Sequence, residues 1–198
     1  DFELINQLPS TSELAFGLLL DLMRSITMSN NVTKRDTTWD YLPFVGQQMK
    51  DYKVGIVGYG RLGKMMAKFC RAFDAEVYIH DPYSEESNID TLEEMFDVCD
   101  AVSLHVHVTD ETRRMIDYNL LSRGVKFFVK ESDVIKALHE CKLWGYGADV
   151  IEDEFSDPSK SPFFNLVNSK LNCILTPHTG GMTIQGQTKA YKWSIDKL

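Results

Sequence analysis

The stretch Val54-Gly55-Ile56-Val57-Gly58-Tyr59-Gly60-Arg61-Leu62-Gly63-Lys64, VGIVGYGRLGK, decides the fold. A short apolar, β-branched run enters a cluster of glycines, and a helical pattern leaves it. Leu62, Met65, Met66, Phe69, Cys70 and Phe73 fall on one broad helical face. A Gly-x-Gly-x-x-Gly turn between a strand and a helix is the context that binding a dinucleotide's diphosphate requires. Gly58 permits the tight turn, Gly60 lets the backbone approach the diphosphate, and Gly63 lets helix and strand pack closely. Tyr59, Arg61 and Leu62 complete the turn. The helix start offers unpaired N–H groups and a partial positive charge to an anion.

The next strand outward, EVYIH (76–80), ends at Asp81, 23 residues after Gly58. An acid at that place accepts hydrogen bonds from a ribose 2′-hydroxyl and repels a 2′-phosphate, so NAD is expected rather than NADP. The plainer alternative is a glycine-rich turn followed by an Asp that caps the next loop. Downstream the alternation continues. TLEEMFDVC is a helix opened by a capping box, Thr91 to Glu94. AVSLHV is a strand, and a short helical stretch follows TDET. Then come the strand VKFFV (125–129), the helix ESDVIKALHECK, the strand WGYGADV, a Pro-punctuated loop, the strand CILT and a final helix from about Thr183. Such alternation implies an α/β fold, a Rossmann doubly wound parallel sheet with helices on both faces. Ligands bind beyond the C-terminal ends of such strands. His178, in LTPHTGG, follows the last strand and so stands on that edge.

Before the first strand, an apolar stripe at Leu14, Leu18, Leu22 and Ile26 follows the capping-box pattern Ser10 to Glu13 and predicts a helix from about Ser12 to Ile26. Ala15, Phe16 and Leu19 make its other side apolar, so it must be covered on more than one side. Residues 27–50 read as irregular, an arm or linker with aromatics Trp39, Tyr41 and Phe44. The chain has 198 residues, 43% of them hydrophobic, enough for one domain with an extension. A net charge of −8 argues against a nucleic-acid surface. The run LAFGLLL is broken by Asp21 and too short to span a bilayer. No pair among Cys70, Cys99, Cys141 and Cys173 has metal-ligand or redox-motif spacing. Reduced core thiols in a cytoplasmic protein without a metal site are the expectation. The first residue is Asp1, which suggests a piece of a longer chain.

These residues together resemble the NAD-binding domain of the D-isomer-specific 2-hydroxyacid dehydrogenases, in particular the phosphoglycerate dehydrogenase-like branch. STSELAFGLLLDLMR is similar to the family's helix leading into the domain. DTTWDYLPFVGQQMKDYKVGIVGYGRLGK is similar to its arm, first strand and glycine turn. IHDPY resembles its ribose-binding strand end, and VSLHVHVTDETRRMID its Leu-His-x-Pro-x-Thr stretch, with His107 in place of the Pro. GYGADVIEDE and LTPHTGG resemble the segments that carry its catalytic Glu and His. The resemblance implies that residues 1–198 are one NAD-binding domain with an N-terminal helix and arm over about 1–50, the substrate domain being essentially absent. A further feature departs from the family. Its Asn-x-x-Arg-Gly loop, whose Arg holds the substrate carboxylate, should follow the fourth strand. Here VKFFV runs almost directly into KESDVIKAL, and Arg123-Gly124 precedes the strand, where it reads as a turn.

Reducing a 2-keto acid needs a hydride on carbon and a proton on oxygen. Imidazole suits the proton transfer, which makes His178 the candidate acid–base group. A nearby carboxylate favours a charged imidazole, and the resemblance assigns that role to Glu154. It also implies that Asp149 orients the nicotinamide carboxamide, that His105 and Val106 border the cofactor, and that Gly180 and Gly181 follow the imidazole beside it. Plainer readings are a loop cap for Asp149 and a surface acid for Glu154. Two functions remain in view. One is an NAD-dependent dehydrogenase of a D-2-hydroxy acid, favoured by Glu154 and His178. The other is an NAD-responsive dimerising scaffold without turnover, favoured by the missing loop. Under either, the helix over 12–26 and the Trp39–Phe44 arm suit a homodimer surface.

Overall fold

The computed structural model describes residues 8–37, 39–113, 115–121, 131–166 and 169–195. Among the described residues, two helices come first, α1 (Ser10–Arg24) and α2 (Ile26–Asp36). The alternating part follows: β1 (Lys53–Val57), α3 (Arg61–Ala72), β2 (Glu76–His80), α4 (Leu92–Val98), β3 (Ala101–Leu104), α5 (Tyr118–Leu121), α6 (Glu131–His139), β4 (Gly145–Ala148), β5 (Asn172–Leu175) and α7 (Ile184–Ile195).

All described pairings are parallel. β1 lies between β2 and β3, with Val54 opposite both Val77 and Ala101. β4 pairs β5, with Ala148 opposite Leu175. The expected single wound sheet is thus described as a three-stranded and a two-stranded sheet. The strand expected over VKFFV and the turn expected at Arg123-Gly124 lie outside the described residues.

The central strand β1 is buried on both faces, as helix-covered parallel strands must be. Val54 and Ile56 point into a core with Leu19, Met23, Met66 and Cys70. Val57 points into the opposite core with Met95, Phe96, Leu121, Val134 and Tyr146. α1 reaches both cores, since Leu22 belongs to the second. Phe16 packs against Phe69 of α3 and Phe73 at its C-cap, ring centroids 5.8 and 5.1 Å away. The helix is therefore covered on more than one side, largely by its own chain.

Several expectations need correction. α1 begins two residues earlier than predicted, at Ser10, with Pro9 as its N-cap and no side-chain cap; the Ser10–Glu13 capping box does not form. The Thr91 box does cap α4, its hydroxyl accepting from the Glu94 N–H at 3.1 Å. Residues 27–36, read as irregular, are helical. Ser25 turns through the left-handed region (φ 51°), ending α1 and starting α2. The Asp21 carboxylate then accepts from Thr27 N–H at 2.7 Å and its hydroxyl at 2.5 Å, satisfying the new helix start. Of the four cysteines, Cys70 and Cys99 are buried, Cys173 is half-buried and Cys141 is exposed. Burial pushes the thiols of Cys70, Cys99 and Cys173 up to about 12, which keeps them inert. Among the described residues no helix is long and apolar enough to cross a membrane, and no group of His, Cys, Asp and Glu side chains could hold a metal ion.

Candidate cofactor and acid–base site

The glycine turn follows β1, and each glycine has a distinct geometric reason. Gly58 has φ 84°, and a Cβ there would meet the His105 carbonyl oxygen at 2.8 Å. A Cβ on Gly63 would meet the Gly58 carbonyl oxygen at 2.0 Å, so α3 can approach β1 this closely only with glycine. Gly60 differs, because a Cβ there would meet nothing within 4 Å. The protein does not need glycine at that place, but an approaching diphosphate does. No side chain caps the start of α3, which leaves its first N–H groups for an anion. The turn therefore fits the diphosphate of a dinucleotide.

At the end of β2, Asp81 closes on the same turn. Its carboxylate accepts the Tyr59 N–H at 2.6 Å and the Tyr83 N–H at 2.9 Å, one on each oxygen. A carboxylate has about four acceptor sites, so each oxygen retains one for a ribose hydroxyl. At the end of β3, His105 is held by its N–H to the Val57 carbonyl at 2.7 Å and by a ring nitrogen 2.9 Å from Ser103 Oγ. Burial lowers its pKa to about 4, so it is neutral at pH 7 and ill suited to donating a proton. Val106, exposed, follows it.

The ends of β4 and β5 form the second half. Asp149 draws the whole TPHTGG loop onto itself. One carboxylate oxygen accepts the Thr176 hydroxyl at 2.6 Å and the Thr179 N–H at 2.8 Å, and the other accepts the Gly180 N–H at 2.7 Å. The His178 N–H donates to the Asp149 carbonyl at 2.9 Å. These ties hold His178 at φ 53°, a conformation that a histidine seldom adopts unaided. Its Nδ1 lies 2.9 Å from Glu154 Oε2. Glu154 is mostly buried, while the imidazole is about half exposed, at 54%. With Nδ1 committed to the carboxylate, Nε2 is the nitrogen left to exchange a proton with a ligand. Gly181 has open space around it.

The two halves meet at the N-terminus of α1. The Ser12 hydroxyl, fully buried, donates to the Leu62 carbonyl in the glycine-turn helix at 3.1 Å. Arg61 donates to the Leu8 carbonyl at 2.7 Å. On the other side, a Cβ on Gly180 would meet Thr11 Cγ2 at 3.2 Å. The structure thus brings together the glycine turn, Asp81, His105, Asp149, Glu154 and His178 along the carboxyl ends of the strands. Sequence reasoning missed the bridging role of Leu8, Thr11 and Ser12. It also missed Glu131, a buried acid that looks like an ordinary first-turn residue of a helix. Only its burial reveals it.

The family model described as D-isomer specific 2-hydroxyacid dehydrogenase, NAD binding domain, matches residues 16–180. The chain is 29% identical over 195 residues to D-3-phosphoglycerate dehydrogenase of Bacillus subtilis, covering 90% of this chain and 36% of that one. It is 33% identical over 200 residues to glyoxylate reductase of Thermococcus litoralis, covering 88% and 58%. Among solved structures, D-lactate dehydrogenase from Aquifex aeolicus, complexed with NAD and lactic acid, superposes with a TM-score of 0.86 at 22% identity, covering 96% of this chain and 65% of that one. The chain spans between about a third and two thirds of the length of these relatives.

Proposed function

The chain belongs to the D-isomer-specific 2-hydroxyacid dehydrogenase family as its NAD-binding domain, and on that premise we propose that its protein reduces a 2-keto acid to a D-2-hydroxy acid, reversibly. The observation that carries the reading is the Glu154–His178 pair at 2.9 Å, on the same rim as the glycine turn. A scaffold that only binds NAD has no use for a paired acid and imidazole. Bound NADH would supply the hydride. The chain's residues then do the rest. Asp81 accepts the adenosine ribose hydroxyls, and the α3 N-terminus receives the diphosphate. The spare acceptor site on Asp149 takes the carboxamide N–H, which fixes the ring face presented. His178 donates a proton from Nε2 to the substrate oxygen as the hydride arrives at carbon, and takes it back in the oxidation. Glu154 engages Nδ1 and so holds the ring with Nε2 free for the substrate.

The same proposal takes residues 1–198 as one cofactor domain and sets the protein in the cytoplasm as a homodimer. Exposure of Trp39 (95%), Tyr41 (75%), Leu42 (68%) and Val45 (68%) in the arm supports the homodimer. The test is NADH oxidation against a panel of small 2-keto acids. Wild-type protein turns over at least one, and His178→Ala lowers turnover by about 10²- to 10⁴-fold while NADH still binds. Equal turnover in the variant would refute the assignment.

A further inference from the structure

We propose that Glu131 is a positioning residue that sets the loop bearing Glu154, and through it the acid–base pair. The inference rests on the dehydrogenase reading above. Glu131 opens α6 yet is only 3% exposed. Carboxyl groups are seldom buried without specific partners, because the loss of water is unfavourable unless hydrogen bonds replace it. Here both oxygens are used. Oε1 accepts the Glu152 N–H at 2.6 Å, and Oε2 accepts the Ser161 hydroxyl at 2.6 Å. Ser161 is itself buried, and its oxygen accepts the Phe163 N–H at 3.3 Å. One side chain thus clamps both ends of the segment from Glu152 to Ser161, the first part of the excursion between β4 and β5.

What lies between the clamped ends is the catalytic loop. Glu154 is two residues from the tied Glu152, and the loop's own bonds, such as the Asp153 carbonyl accepting the Ser156 and Asp157 N–H groups at 2.9 and 3.0 Å, are local and tie it to no other element. Asp153 sits at φ 57°, and Phe155 is 90% exposed, its ring 6.0 Å from the His178 ring. An apolar core does little to fix a segment whose side chains mostly face solvent, so its placement against the rest of the domain depends on its anchors. Asp149 anchors the imidazole's loop, and Glu131 anchors the carboxylate's loop. Neither anchor substitutes for the other, since they share no hydrogen-bond partner.

The test compares wild-type protein with Glu131→Ala, Glu131→Asp and Glu131→Gln. Gln keeps an acceptor for the Glu152 N–H and offers its NH₂ to Ser161 Oγ, so it should restore the geometry without the charge. Asp withdraws the carboxyl by a methylene and is the variant to read if Ala fails to fold. We expect Glu152 amide exchange to quicken at least about tenfold in Ala and Asp but less than about threefold in Gln. We also expect the ring contact between Phe155 and His178 to weaken in Ala and Asp alone, by nuclear Overhauser effect. Turnover should fall about tenfold or more in Ala and Asp, with KM for NADH within about twofold. A merely structural role would lower stability without selecting Glu152 or splitting turnover from KM. Unchanged Glu152 exchange and turnover in folded Asp or Ala protein would overturn the proposal. If wild-type protein binds no NADH, the dehydrogenase reading falls, and the amide-exchange arm alone decides Glu131.

Discussion

Gly60 and Gly63 differ by three positions in one turn, yet substitution should reveal opposite roles. Gly63→Ala drives a methyl into the Gly58 carbonyl oxygen, a 2.0 Å approach to backbone that cannot relax cheaply. We expect it to lose several kcal/mol (about 3 or more) in denaturant unfolding. Gly60→Ala meets open space at φ −71°, which alanine adopts freely. It should fold within about 0.5 kcal/mol of wild type and lose NADH affinity by about tenfold or more, because the methyl occupies the approach of the diphosphate. At His105 the prediction concerns pH. Its folded pKa of about 4 lies below the ordinary 6.5 because burial disfavours the charged ring. Between those values the unfolded chain binds a proton that the folded chain does not. Stability is therefore full above about pH 6.5 and falls as pH drops toward 4, by up to about 3 kcal/mol from this group. His105→Gln should flatten that part of the stability–pH curve; an unchanged slope would show that other groups cause it.

At the scale of elements, the parts with strong periodicity or turn chemistry were legible in the sequence. β1, α3 and β2 could be read because an apolar run, a glycine turn and a strand-end acid each demand a specific backbone. α2 could not. ITMSNNVTKRD lacks a strong apolar stripe, and its helix depends on a tertiary-like tie from Asp21 to Thr27 across the Ser25 turn. We expect Asp21→Ala to cost about 1–2 kcal/mol and to raise amide exchange selectively over Ile26–Ser29. The site was legible in the same uneven way. His178 and Glu154 could be named from ordered motifs, and the structure pairs them. The resemblance assigns Asp149 to the carboxamide, but no local pattern signals that it also organises the histidine loop. That role needs the β4–β5 register, which sets Ala148 beside Leu175 and so brings Asp149 under the loop.

At the scale of the whole molecule, α1 joins what the strands separate. It packs into both cores, and its start touches both the glycine-turn helix and the histidine loop. Its placement was hidden because a helix apolar on most sides can be covered equally well by a partner or by its own chain. The proposed homodimer would use the exposed arm. Sedimentation should give a dimer that Trp39→Glu shifts toward monomer. An unshifted dimer would remove the arm from the interface.

The central claim is that one dinucleotide lies across both halves of this rim. The direct measurement is an NADH titration that follows the amide resonances of Gly60, at the diphosphate turn, and Gly180, beside the imidazole. The account expects both to shift along one saturation curve. A shift at only one of them, or at neither, would contradict it.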